Sequence, residues 1–231
     1  MKQRITVLFI LLFSFSCDRE SAHPDSSLLG LEYFPLFQGS YRVYDAQQIE
    51  YTVLGEEIST NYQLKEETFK LFQNDDEEEI YPINRYIRKN ENEEWILDAV
   101  WSARNNNYLA LITEENIPFQ KLAFPVNEGV KWNGNAFNTY EQEEYYYQDI
   151  GQNFTTDIGD EYTNTVIVVQ NDLLDKIVKT DYRIEVYAKN IGLIHKETTQ
   201  LSYCTDPDCL GLEIVESGLI YRQSLIDYGQ N

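Results

Sequence analysis

Residues 180–190 read TDYRIEVYAKN, and the alternation in that stretch decides the fold class. Tyr182, Ile184, Val186 and Ala188 fall on one side, and Asp181, Arg183, Glu185 and Tyr187 on the other. A two-residue period over this length belongs to a half-buried antiparallel strand, because successive side chains leave opposite faces of a pleated backbone. Residues 94–104 (EWILDAVWSAR) repeat the pattern and put Trp95, Leu97, Ala99 and Trp101 on a shared face. Residues 165–170 (TVIVVQ) are β-branched almost throughout, which predicts a central strand covered on both faces. Shorter strands are expected over 41–53, 62–72, 80–89, 108–113 and 211–226, with Asn- and Asp-rich breaks at 74–76, 90–92 and 105–107. Residues 171–179 (NDLLDKIVK) read as a two-turn helix capped by Asn171.

Composition agrees with strands. The chain has 18 Tyr, 11 Phe and 3 Trp but a single Met, and aromatic residues suit a pleated surface that is apolar at the ring and wet at the hydroxyl. The fold class expected from the residues is therefore all-β and mainly antiparallel.

The first twenty residues, MKQRITVLFILLFSFSCDRE, give an address. Lys2 and Arg4 precede an apolar run over 5–15, which is too short to span a bilayer and suits the core of a signal peptide. Ser16 and Cys17 follow, and polar sequence starts at once. This arrangement resembles a bacterial lipoprotein signal, in which Cys17 is lipidated and becomes the new N-terminus. It departs from the usual signal at Ser14 and Phe15, where a Leu-small-residue pattern is expected, and the alternative is secretory cleavage near Ser16. The organisation expected is a signal peptide over 1–16, the lipidated Cys and a flexible tether over 17–30, and one β-rich domain over 31–231. The expected location is the cell envelope, as an outer-membrane lipoprotein facing the periplasm or the cell surface.

A formal net charge of −21 repels phosphate backbones and anionic lipid surfaces, so no nucleic-acid partner is expected. Acidity serves solubility first, although cations and basic partners remain compatible with it. Cys204 and Cys209 flank Thr-Asp-Pro-Asp, a turn-compatible stretch between strand-like segments, and an oxidising compartment permits a disulfide stapling a hairpin tip. Two free thiols are the alternative. The C-x4-C spacing without a second ligand pair does not make a zinc site.

Phe34-Pro35-Leu36-Phe37-Gln38-Gly39 recurs as Phe124-Pro125-Val126-Asn127-Glu128-Gly129. Proline suits the edge or start of a strand, and the following glycine permits a positive φ, so each copy reads as a turn that launches antiparallel strands. Duplication and shared turn physics both produce such an echo.

YFPLFQGSYRVYDA, LAFPVNEGVKWNGNAFN, TVIVVQ and YAKNIGLIHKE, in that order, resemble a family of gram-negative outer-membrane lipoproteins of unknown function. Members carry FPL-x-x-G-x-x-W-x-Y early, FP-x-x-x-G-x-x-W in the middle and Y-A-x-x-V-G-L-V late. Tyr41 or Tyr44 fills the first aromatic slots, Trp132 keeps the middle Trp, and residues 190–194 keep the late turn. The resemblance covers about residues 31–200. It implies a strongly curved antiparallel sheet or incomplete β-barrel held at a membrane through lipid on Cys17, and it implies no reaction.

Candidate chemistry is sparse. Of two histidines, His23 lies in the tether and His195 in a strand, where it is expected to face solvent or a neighbouring Tyr. With 39 acidic residues, spacing cannot single out a carboxylate pair for glycan hydrolysis. The run DDEEE over 75–79 lacks the alternation of a calcium loop and reads as a solvated turn. EQEEYYY over 141–147 reads as an aromatic edge strand, a binding lip or a barrel wall. The function expected is a non-catalytic, membrane-anchored lipoprotein that needs no cofactor or metal and binds a protein partner or an apolar ligand. Trp95, Trp101 and Trp132 are the candidate lining. The alternatives are a structural subunit of an envelope complex and, last, a carboxylate-dependent glycan hydrolase.

Overall fold

Most strands pair with a neighbour in sequence, and the last strand returns to pair with the first. A computed structural model describes residues 28–69, 72–73 and 79–231. Its strands are β1 (Ser40–Tyr51), β2 (Glu57–Thr68), β3 (Phe72–Gln73), β4 (Glu79–Arg88), β5 (Ile96–Asn105), β6 (Leu109–Glu114), β7 (Ile117–Ala123), β8 (Lys131–Asn133), β9 (Glu144–Thr155), β10 (Glu161–Asp175), β11 (Lys179–Ala188), β12 (Gly192–Tyr203) and β13 (Val215–Gln230). They form one sheet in the order β7-β6-β5-β4-β2-β1-β13-β12-β11-β10-β9-β8, with the short β3 beside β4. All the pairings are antiparallel. The expected all-β, mainly antiparallel, incomplete barrel is what the chain forms.

The ladder is interrupted between β7 and β8, and other bonds cross that gap. The Gln120 N–H donates to the Gly134 carbonyl at 2.9 Å, the Trp132 indole donates to the Gln120 carbonyl at 3.0 Å, and the Tyr147 hydroxyl donates to the Ala123 carbonyl at 2.6 Å. An exposed pair of strand edges would invite pairing with other chains. Here the edges close on each other through one backbone bond and two side-chain-to-backbone bonds.

Both Pro-x-x-x-Gly turns do what their sequence implies. Gly39 and Gly129 have φ of 81° and 78°, values an L-residue reaches only with strain. β1 starts immediately after the first and β8 two residues after the second. Phe34 and Phe124 are buried in the same apolar cluster, with Trp132, Tyr145, Tyr147, Val166, Val168 and Tyr187. A second cluster contains Ile184, Val186 and Ala188 of β11 and Val169 of β10, with Phe154 and Tyr162 packed against it. Residues 165–170 thus feed both clusters, as a strand covered on two faces should.

Three local expectations are corrected. Residues 171–179 form no helix: β10 continues to Asp175, and Leu173 and Leu174 pair with Asp181 and Thr180 of β11. An isolated two-turn helix is marginal, whereas a neighbouring strand satisfies the same backbone groups, and Asp175 Oδ1 accepts the Ile177 N–H at 2.9 Å to make the turn. Trp95 and Trp101 do not share a face. The β4–β5 register jumps between Arg85↔Ala99 and Tyr86↔Leu97, leaving Asp98 as a bulged extra residue that inverts the alternation. The Cys204–Cys209 disulfide is present, but it closes a loop inside the β12–β13 connection instead of joining two sides of a hairpin. With both sulfurs bonded, the nearby Asp206 gains no thiolate partner for a metal.

Leu29, within the stretch assigned to the tether, is buried, and its carbonyl accepts the Val126 N–H at 2.9 Å. Cys17, the stretch over 1–16 read as a signal peptide, His23 and most of the 75–79 acidic run lie outside the described residues.

Candidate functional site

The interior of the barrel holds a cavity of about 280 Å³. Its wall is built from the polar side of β11 and from inward positions of the strands on either side. Glu185 and Tyr187 line it, so the polar set of the 180–190 alternation faces inward while Ile184, Val186 and Ala188 pack away from the cavity. Phe34, Leu36, Ile83, Trp101, Ile112 and Leu193 give it apolar surface.

Charge in the cavity is organised in two groups. The first spans the barrel. Lys121 on β7 reaches Glu114 at 2.8 Å and Glu185 on β11 at 2.9 Å. Glu185 also accepts the Tyr187 hydroxyl at 2.6 Å and lies 3.5 Å from Lys196, its cross-strand neighbour. Two cations meet two anions, and every charge has a partner. Burial opposes the charge on Glu185, but Lys121, Lys196 and the Tyr187 hydroxyl outweigh it and hold its carboxyl at about 2. Burial likewise opposes the charge on Lys121, and Glu114 and Glu185 overcome it, raising its pKa. The network ties edge strand β7 to the opposite wall.

The second group lies across three adjacent strands. Arg42 on β1 pairs in register with Glu66 on β2, and Glu66 with Arg85 on β4. The ion-pair distances are long, 3.8 Å for Arg42–Glu66 and 3.6 Å for Arg85–Glu66. Arg42 also donates from Nη1 to the Ile191 carbonyl at 3.3 Å. Gly192 makes room for it: a Cβ there would sit 3.1 Å from that same nitrogen. The Arg85 guanidinium stacks 3.7 Å over the Trp101 ring, an arrangement favoured by the ring quadrupole. Among the described residues, the buried side-chain polar atoms without a hydrogen-bond partner are Arg42 Nε, Arg85 Nε and Gln223 Nε2. All three are N–H donors, and all three residues line the cavity.

The candidate tryptophans are dispersed. Trp101 lines the cavity. Trp132 is core, with ring centroids 4.7 Å from Tyr147 and 6.0 Å from Tyr145. Trp95 is stacked by Arg88 at 4.3 Å and Lys65 at 5.3 Å on the outer face. Of residues 141–147, only 144–147 are barrel wall, at the start of β9, with Tyr145 and Tyr147 buried.

His195, expected to face solvent or a neighbouring Tyr, is buried. Its ring lies 5.3 Å from Phe154, because the β9–β10 arm folds over this side. Nδ1 is 2.9 Å from Ser224 Oγ, and the Ser224 hydroxyl donates to Asp157. This is not a nucleophilic triad. A base must take the serine proton and be oriented by a carboxylate on its other nitrogen, whereas here the serine proton is already committed to Asp157. Residue spacing gave no sign of this trio or of the Arg42–Glu66–Arg85 row, since each is assembled by strand register and packing and not by a local motif.

No family model and no curated protein matches the chain. It is similar to two solved structures. One is a protein described as exported, with a YmcC-like fold, from Bacteroides fragilis, at 12% identity and a TM-score of 0.44, covering 85% of this chain and 98% of that one. The other, from Parabacteroides distasonis, is described as a lipoprotein, at 11% identity and a TM-score of 0.43, with the same coverage. No functional argument rests on likenesses this remote.

Proposed function

We propose that this chain is a non-catalytic, lipid-anchored protein of the cell envelope whose barrel interior binds a small ligand with an apolar body. The observation that carries the reading is the cavity of about 280 Å³, lined by apolar side chains together with three buried N–H donors that make no hydrogen bond within the protein. Small-molecule sites combine mostly apolar walls with a few orienting polar groups. The absence of catalysis is supported by the pairing of the candidate groups: Glu114 and Glu185 are held by Lys121, and Ser224 by Asp157. The envelope address rests on the signal-like residues 1–17. Methyl-labelled NMR against a fragment library tests the ligand reading. Shifts at Ile83, Ile112 and Leu193 are expected; perturbations confined to outer-face methyls would reject it.

A second reading, docking of a protein partner, is supported at one end of the barrel. Val53, Leu54, Leu174, Ile177, Leu212 and Ile214 are exposed there, on three connections that the β1–β13 and β11–β12 registers bring to the same end. The chain enters at the other end, where the Asn190 N–H bonds the Glu32 carbonyl at 2.7 Å. Leu54→Ser with Leu212→Ser should abolish co-purification of a partner from solubilised membranes while leaving the fold unchanged.

A further inference from the structure

The cavity of this acidic protein carries a local excess of positive charge. Its lining contains four cations, Arg42, Arg85, Lys121 and Lys196, and three anions, Glu66, Glu114 and Glu185. The Lys121 network is balanced and closed at short range, so the imbalance falls on the other group, where two guanidiniums share Glu66 at 3.6–3.8 Å. The donors without a hydrogen bond are on the same wall: Arg42 Nε, Arg85 Nε, whose nearest acceptor is Glu66 Oε1 at 3.6 Å, and Nε2 of Gln223, whose Oε1 is already engaged by the Tyr221 hydroxyl at 2.6 Å. Buried donors without acceptors cost free energy comparable to a lost hydrogen bond, and more so beside an uncompensated charge. One monoanion with more than one acceptor oxygen answers both deficits.

Building on the ligand-site reading above, we propose that the cavity takes a small monocarboxylate, its carboxylate received by Arg42, Arg85 and Gln223 and its hydrocarbon laid against Phe34, Ile112 and Leu193. Guanidinium matches carboxylate geometry better than any other side chain does. A second anionic oxygen, as in a dicarboxylate, would meet Glu114 and Glu185 further along the wall, which favours a single charge. Size follows from the volume: about 280 Å³ is room for roughly nine water-sized groups, so the hydrocarbon is short, on the scale of an eight-carbon chain.

Calorimetric titration of the mature protein with octanoate and with 1-octanol tests this. Octanoate should bind at least about tenfold more tightly than the alcohol, and Arg42→Met should remove that preference, bringing the two affinities together. Should Arg42→Met fail to fold, Gln223→Leu reports on the same headgroup contact and should reduce the preference several-fold. Equal binding of acid and alcohol, with methyl shifts in the cavity, overturns the carboxylate assignment but leaves a ligand site standing. Binding of neither, with no cavity shifts from any fragment, overturns both.

Discussion

Replacing Glu185 by Gln removes the charge at the centre of the cross-barrel network and leaves its shape nearly intact. Glu185 is held at about 2 against an ordinary 4.5, a difference worth about 3 kcal/mol of stability at neutral pH. A second route gives the same size. Removing one partner of a buried ion pair costs about 3–5 kcal/mol, and the low end applies because Lys121 keeps Glu114 at 2.8 Å. The two routes agree on about 3 kcal/mol. The pH dependence has a definite direction: a carboxyl with a depressed folded-state pKa stabilises fully above its unfolded value of about 4.5, and the contribution disappears as the pH falls towards 2. Urea unfolding of wild type and Glu185→Gln should therefore show a gap of about 3 kcal/mol at pH 7 that shrinks below about 1 kcal/mol near pH 2.5. A gap under about 1 kcal/mol at pH 7, or one that stays constant over that range, refutes the network's role.

Three further outcomes follow from other parts of the molecule. Cys17→Ser should release the protein from membranes; persistence there through salt washing would contradict the lipid anchor, since stable attachment needs acyl chains. Gly134→Ala would drive a Cβ into the Tyr145 ring at the β7–β8 seam, and chemical denaturation should show a loss of about 1–3 kcal/mol; an unchanged midpoint would mean the seam is loose. Burial holds the His195 imidazole below its ordinary 6.5, against the pull of Asp157, so stability present above about pH 6.5 falls on acidification. His195→Gln should flatten that part of the stability–pH curve, and identical curves would place the His195 ring in water.

The strand periods were legible because alternation is a local property, and residues 180–190 show it cleanly. Which side faces inward was not legible. The polar set of β11, with Glu185 and Tyr187, turns into the barrel, and its apolar set packs with the β9–β10 arm. Alternation marks two faces but does not say which of them a closed sheet will enclose. The pairing of Trp95 with Trp101 failed on one bulged residue, Asp98, that composition does not advertise. Strands β7 and β8 were missed because Pro118 interrupts the first and the second is three residues long. The arginine row was invisible for a different reason. Arg42, Glu66 and Arg85 become neighbours only through strand registers, and a chain with a net charge of −21 gives no hint of a positive interior.

That positive interior is the central claim, and quenching of Trp101 by ions of opposite sign tests it most directly. The Trp101 signal is isolated as the difference between wild type and Trp101→Phe. A surface governed by the net charge of −21 would draw caesium to this indole and repel iodide. The Arg85 guanidinium 3.7 Å above the ring and the excess charge beside it predict the reverse, with iodide the stronger quencher and octanoate protecting against it. Stronger quenching by caesium, unaffected by octanoate, would contradict the account.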